Sequence, residues 1–228
     1  MAEPEFAVVG PAEQDRAIRT LVSAFQDDPV ERWLYPEKAQ YRRHFPAFVA
    51  AFGGAAFADQ TVWRLGDFDA VAFWFRPGRE PDGEAVVQVL VETTSHHLHA
   101  DAFATLEQMA AGHPTEPHWY LPWFGVDREL HGSGLGTRLM RNCLEIVDES
   151  GSPAYLESPN PRAVPFYERA GFSVTSVAQA GACPPITLMQ RAGRQARSRP
   201  PEHRYSPPCL STHVPLTCVD RSCTRTIL

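Results

Sequence analysis

The sequence predicts a mixed α+β fold, a sheet with antiparallel and parallel strands flanked by helices, and three features carry that expectation. Two strand-like runs, residues 61–65 and 70–75, are joined by Gly66-Asp67-Phe68-Asp69, which reads as a tight hairpin turn between antiparallel neighbours. Residues 119–157 read strand, glycine loop, helix, strand, which is a crossover connection. Several further segments place apolar residues at helical spacing.

The elements follow in order. Residues 5–9 form a short first strand, and Gly10-Pro11 punctuates it before a helix with Ala17, Ile18, Leu21, Val22 and Phe25 on one face. Asp27-Asp28-Pro29 ends that helix. A second helix covers residues 37–52, with Tyr41, Phe45, Phe48, Val49 and Phe52 at helical spacing; Pro46 predicts a kink or restart, and Gly53-Gly54 a stop. After the hairpin, residues 83–111 read as helix in two pieces, ended by His113-Pro114. Residues 119–126 form an aromatic-rich strand in which Pro122 and Gly125 predict an edge or a bulge. An amphipathic helix over 135–147, a strand over 154–157, a helix over 161–171 and strands over 172–177 and 186–190 complete the pattern. Beyond Arg191 the periodicity stops. Residues 192–228 hold five prolines and no amphipathic run, so the expected organisation is one domain over 1–191 and a disordered basic tail over 192–228.

Charge divides along the same line. The net charge of -6 includes a tail with six Arg against Glu202 and Asp220, leaving a body with 15 basic and 25 acidic residues. An acidic body argues against nucleic-acid binding and suits a cationic or amine substrate. The five cysteines lack metal-ligand spacing, so neither a zinc site nor a disulfide framework is expected, and a reducing cytoplasm is the default. No apolar run reaches the length of a membrane helix, and the first residues carry no basic, then apolar, leader pattern. A monomer or homodimer is equally compatible. His96-His97-x-His99 carries no metal expectation, because adjacent helical residues point about 100° apart; that helix is expected to border an acceptor pocket with Trp33, Trp74 and Trp123.

The chemistry concentrates in His131-Gly132-Ser133-Gly134-Leu135-Gly136-Thr137, between the aromatic strand and its helix. Glycines let the backbone approach a ligand, and a helix's first N–H groups carry partial positive charge, so the arrangement suits a phosphate or pyrophosphate. The dinucleotide pattern GxGxxG would need glycine at 137 or 139, which hold Thr137 and Leu139. The ATP-loop pattern is absent too, because Lys38 is the chain's only lysine.

This loop resembles the acetyl-CoA-binding core of the GCN5-related N-acetyltransferases, whose loop reads Gln/Arg-x-x-Gly-x-Gly/Ala. The likeness extends through Glu157-Ser158-Pro159-Asn160-Pro161-Arg162 and Pro165-Phe166-Tyr167-Glu168-Arg169-Ala170-Gly171-Phe172, and is closer to the puromycin N-acetyltransferase-like members. One departure is His131, where Gln or Arg is usual.

The resemblance implies the family fold, a mostly antiparallel sheet in which two parallel central strands splay apart, with the acetyl-CoA-binding core over residues 118–191. It implies that backbone N–H groups from Gly132 to Thr137 hold the pyrophosphate of acetyl-CoA, that Phe124 and Val126 border the pantetheine arm, and that Asn160 bonds to that arm while capping the helix that follows. It also implies that the Tyr167 hydroxyl faces the thioester sulfur. Arg138 and Arg141 are equally open to a phosphate role or a solvated helix face. For the base that deprotonates an ammonium substrate, Glu157 is the first candidate, with Glu116 and His118 as alternatives. The implied activity is transfer of an acetyl group to the primary amine of a small molecule in a ternary complex, without a metal. Alternatives are a non-catalytic acyl-CoA-binding module and acetylation of protein or aminoacyl-tRNA.

Overall fold

Alternation of side chains across one twisted sheet divides the core into two layers. The computed structural model describes residues 3–193, and the expectation of a disordered tail lies outside them from residue 194 on. The described residues contain strands β1 (Phe6–Val8), β2 (Val62–Leu65), β3 (Ala70–Phe75), β4 (Trp119–Val126), β5 (Ala154–Ser158), β6 (Ser173–Ala178) and β7 (Ile186–Arg191). They form a single sheet in the order β1-β2-β3-β4-β5-β7-β6, in which every neighbouring pair is antiparallel except β4 and β5. The mixed α+β expectation, with one parallel central pair, holds.

Helices α1 (Gln14–Ala24), α2 (Pro29–Leu34), α3 (Lys38–Gly53), α4 (Ala55–Ala58), α5 (Gly83–Thr93) and α6 (His99–Gly112) precede β4, and α7 (Leu135–Glu149) and α8 (Val164–Arg169) follow it. Leu21, Phe45, Val49 and Leu90 from the first group share a core with Phe73, Tyr120, Trp123 and Tyr155 of the sheet. Leu139, Met140, Cys143 and Val147 of α7, with Tyr167 of α8, share the other with Trp74, Trp119, Leu121 and Leu156. The buried residues of α7 recur at helical spacing. Each contributes roughly 1.5–3 kcal/mol by removal of apolar surface from water. β3 lies between the layers and is buried along its whole length.

Local chemistry explains where the sequence expectations needed correction. Asp27-Asp28-Pro29 does more than end α1: the Asp28 carboxylate accepts from the N–H groups of Val30 (3.0 Å) and Glu31 (3.4 Å), and Pro29 sits in the first turn, so the same residues start α2. Pro46 neither interrupts nor restarts α3, which runs unbroken from Lys38 to Gly53. Tyr41 and Phe45 stack at 4.8 Å before it and Phe48 and Val49 are buried after it, so the helix is packed on both sides of the proline. The last helix begins at Val164, not at Pro161. Asn160 Oδ1 accepts from the Arg162 N–H at 3.0 Å and Asn160 O from the Ala163 N–H, which closes a turn before the helix instead of capping it.

Candidate active site

The site begins with an irregularity in β4. β4 and β3 pair Phe73 with Trp123 but Phe75 with Tyr120, so β4 holds one residue more over that stretch. The extra residue is a bulge in an interior strand, and Pro122, with no N–H to contribute, lies within it. The bulge inverts the alternation: Leu121 packs in the α7 layer, Trp123 in the opposite one, and Phe124 and Val126 return to the α7–α8 side. The parallel ladder with β5 stops at the same place, its last pair being Leu121 with Leu156. Beyond it, β4 diverges from β5, and the polar backbone of residues 123–126 on that side is left without a strand partner.

The glycine loop closes the mouth of this gap. Gly132 and Gly134 have φ of 80° and 85°, a backbone region that L side chains rarely adopt, and a Cβ at either would meet nothing within 4 Å. The loop therefore presents open backbone. Gly136 serves packing instead, since a Cβ there would lie 3.2 Å from Val126 Cγ2 and hold α7 off β4. The first bond involving the α7 backbone runs from Arg138 N–H to Gly134 O, so the N–H groups of Leu135, Gly136 and Thr137 have no acceptor within the helix. Ser133 donates its hydroxyl to Leu130 O at 2.6 Å, and His131 turns back to donate Nε2–H to Val126 O at 3.0 Å. The residue that departs from the family pattern thus braces the loop against β4. Arg138 is paired with Glu3 at 2.9 Å, and Arg141 is exposed.

A cleft of about 840 Å³ runs from this loop along the gap and into the α1–α6 layer. Its walls include Phe124, Val126, His131, Gly132, Gly134, Gly136 and Thr137 around the loop, Trp33, Phe48, Leu106 and Trp123 in the α1–α6 layer, and Glu157, Asn160 and Tyr167 from β5 and the segment that follows it. Tyr167 is held by Phe124, Phe166 and Phe172, all within 6.4 Å ring to ring. Burial pushes its hydroxyl well above the usual tyrosine range, with a further push from the Asp28 carboxylate, so it stays protonated at neutral pH.

Glu157 is enclosed, its side chain only 5% exposed. Tyr120 donates its hydroxyl to Glu157 Oε2 at 2.5 Å, and His113 Nε2 lies 3.2 Å from Oε1. His113 Nδ1 is in turn 3.1 Å from His118 Nε2, and His118 Nδ1 is 2.8 Å from the Glu116 carbonyl. That carbonyl can only accept, so His118 carries its proton on Nδ1. Burial holds His118 below its usual pKa, which leaves its Nε2 to accept from His113 Nδ1–H. His113 Nε2 is thereby left facing Glu157 Oε1, which has no hydrogen-bond donor among the described residues. His113 escaped the sequence reading because His-Pro there serves equally well as a helix stop; its spacing of five from His118 was the available signal.

Asp28 and Glu31 also line the cleft, and the sequence reading missed both. Trp33 and Trp123 border it as expected, whereas Trp74 lies on the other side of the sheet among the α7 residues and does not. From α6 it is Ala102, Thr105, Leu106 and Met109 that reach the cleft. The described residues contain no group of three or more metal-capable side chains, and no described helix is long and apolar enough to cross a membrane.

Comparison with known proteins bears on this arrangement. The profile of the acetyltransferase (GNAT) family matches residues 30–172. An uncharacterized N-acetyltransferase of Schizosaccharomyces pombe is 26% identical over 171 residues, which is 69% of this chain and 69% of that protein. Among solved structures, a Corynebacterium glutamicum protein named as histone acetyltransferase HPA2 and related acetyltransferase is similar with a TM-score of 0.58 at 22% identity, over 86% of this chain and 99% of that one. Arylalkylamine N-acetyltransferase 2 from Aedes aegypti is similar with a TM-score of 0.58 at 12% identity, over 84% and 99%. At those identities the two structures speak for the fold.

Proposed function

The chain belongs to the acetyltransferase (GNAT) family, and from that premise we propose that it transfers the acetyl group of acetyl-CoA to the primary amine of a small molecule by direct attack in a ternary complex. One observation carries the reading: a single cleft joins the open glycine loop and the β4–β5 gap to buried acid–base groups and an aromatic-walled end lined by carboxylates. The Aedes aegypti neighbour, an arylalkylamine N-acetyltransferase by name, supports an amine acceptor, and the acidic body suits one. We read residues 1–191 as the catalytic domain.

When bound, acetyl-CoA supplies the activated thioester. The N–H groups of Leu135, Gly136 and Thr137, with the open backbone at Gly132 and Gly134, hold its pyrophosphate in the favourable field of the α7 N-terminus. His131 and Ser133 keep that loop in place through their bonds to Val126 and Leu130. Phe124 and Val126 flank the pantetheine arm, and the unpaired backbone of β4 offers it hydrogen bonds, with Asn160 facing it from the other wall. Glu157, held through Oε2 by the Tyr120 hydroxyl, takes the proton of the substrate ammonium on Oε1, the oxygen left without a donor, and returns it to solvent after turnover. The freed amine attacks the acetyl carbonyl, the carbon–sulfur bond breaks while the Tyr167 hydroxyl hydrogen-bonds the departing sulfur, and the proton that the nitrogen sheds ends on that sulfur as free thiol.

Initial-rate kinetics with both substrates varied test the direct attack. Intersecting double-reciprocal lines are expected; parallel lines, the mark of an acetylated protein, would overturn it.

A further inference from the structure

The acceptor end of the cleft holds two carboxylates that the reaction itself does not use. Asp28 and Glu31 lie in the N-cap and first turn of α2, 5% and 3% exposed, and both line the cleft. Among the described residues neither has a cationic partner: the ion pairs of the α1–α2 region engage Asp67 with Arg16 and Asp27 with Arg128, and the neighbouring Arg32 guanidinium donates to Pro36 O. Asp28 Oδ1 is taken by the cap, while Glu31 Oε2 is enclosed with no donor. Burial, reinforced by the neighbouring Asp28 charge, raises the Glu31 carboxyl well above its usual range. Unpaired buried carboxylates are costly, and a cation that binds beside them offsets that cost. The surrounding wall is apolar: Trp33, Phe48, Leu90 and Leu106.

The amine that is acetylated cannot be that cation throughout. It must lose its charge before it attacks, so in the transition state it no longer balances the acidic pair. Only a second, permanent positive charge gains from Asp28 and Glu31 in the transition state as well as in the ground state.

Resting on the acetyl-transfer reading, we propose that Asp28 and Glu31 form a cation subsite that selects diamines, acceptors carrying a second cationic group joined through an apolar spacer to the amine that reacts. Asp28 sits at the N-cap of α2 and Glu31 in its first turn, both on the wall of the cleft.

The test compares cadaverine with n-pentylamine, which differ only in the second amine, by acetyl-CoA-dependent thiol release. Wild-type kcat/KM is expected to favour cadaverine by about 10- to 100-fold, the range of a charge-assisted hydrogen bond. Glu31→Gln and, separately, Asp28→Asn, which keeps the cap oxygen, are expected to cut that ratio by about tenfold while the KM for acetyl-CoA stays within about twofold. Equal wild-type rates for the two amines, or an unaltered ratio in both variants, would overturn the subsite. Should no amine be acetylated, the transfer reading fails on its own, and calorimetric titration of the same two amines then decides the subsite. Tighter cadaverine binding lost in Glu31→Gln supports it; equal binding refutes it.

Discussion

Replacing Tyr167 by phenylalanine separates two roles that its position in the cleft allows. A thiol ordinarily titrates near pKa ~8.5 and a tyrosine near ~10. Burial moves Tyr167 further up, so moving its proton completely onto the departing thiolate is uphill by more than about 2 kcal/mol. The hydroxyl therefore acts chiefly as a hydrogen-bond donor to developing negative charge, worth about 1.5–3 kcal/mol. That corresponds to a fall in kcat of roughly 10- to 150-fold. The hydroxyl has no protein hydrogen-bond partner among the described residues, and the ring contacts with Phe124, Phe166 and Phe172 survive the change. Folding stability should then change by less than about 1 kcal/mol. Stopped-flow thiol release at saturating acetyl-CoA measures the rate, and calorimetry measures acetyl-CoA affinity, expected to remain within about twofold. A kcat within about twofold of wild type would refute the reasoning, as would a loss carried wholly by weaker acetyl-CoA binding.

Two other changes probe different parts of the account. Gly134→Glu puts a side chain at φ of 85° and a negative charge at the open loop, so acetyl-CoA affinity should fall by at least about 100-fold by calorimetry with little change in melting temperature; retained affinity would remove the loop from the site. Asp28 gives a pH test of stability. Burial pushes its carboxyl up to about 6 from 3.8, so the folded chain holds that proton more tightly than the unfolded chain. The penalty for ionising it is absent below about pH 4, grows through the window between the two values and is complete above about pH 6, reaching roughly 3 kcal/mol. Asp28→Asn should gain stability relative to wild type by about that amount between pH 4 and 7 in urea unfolding, and a pH-independent difference would contradict the burial argument.

The parts of the fold legible in the sequence were those with few physical alternatives. Gly132 and Gly134 adopt a conformation that hardly any other residue accepts, and α7 repeats its apolar face over four turns, so loop and helix could be read directly. Pro122 and Gly125 signalled an irregular strand. That the irregularity is a bulge in an interior strand depends on the pairing with β3 and β5, which no local pattern contains. Likewise Asp28 has one local meaning as a cap and a second as a cleft carboxylate that arises only when α2 meets β4 and α6. Glu157 was found through its motif. Its partners Tyr120 and His113 come from a neighbouring strand and the end of α6, more than thirty residues away in sequence, and only the folded sheet assembles them.

The central claim, that one cleft carries an acetyl group from acetyl-CoA to a small amine, is tested most directly by following an isotopically labelled acetyl group by mass spectrometry, with a panel of primary amines that includes cadaverine. The account predicts labelled N-acetylamine and free thiol in equal amounts, both dependent on the amine. Tight acetyl-CoA binding with no labelled amine from any acceptor would contradict it and leave a chain that binds the donor without using it.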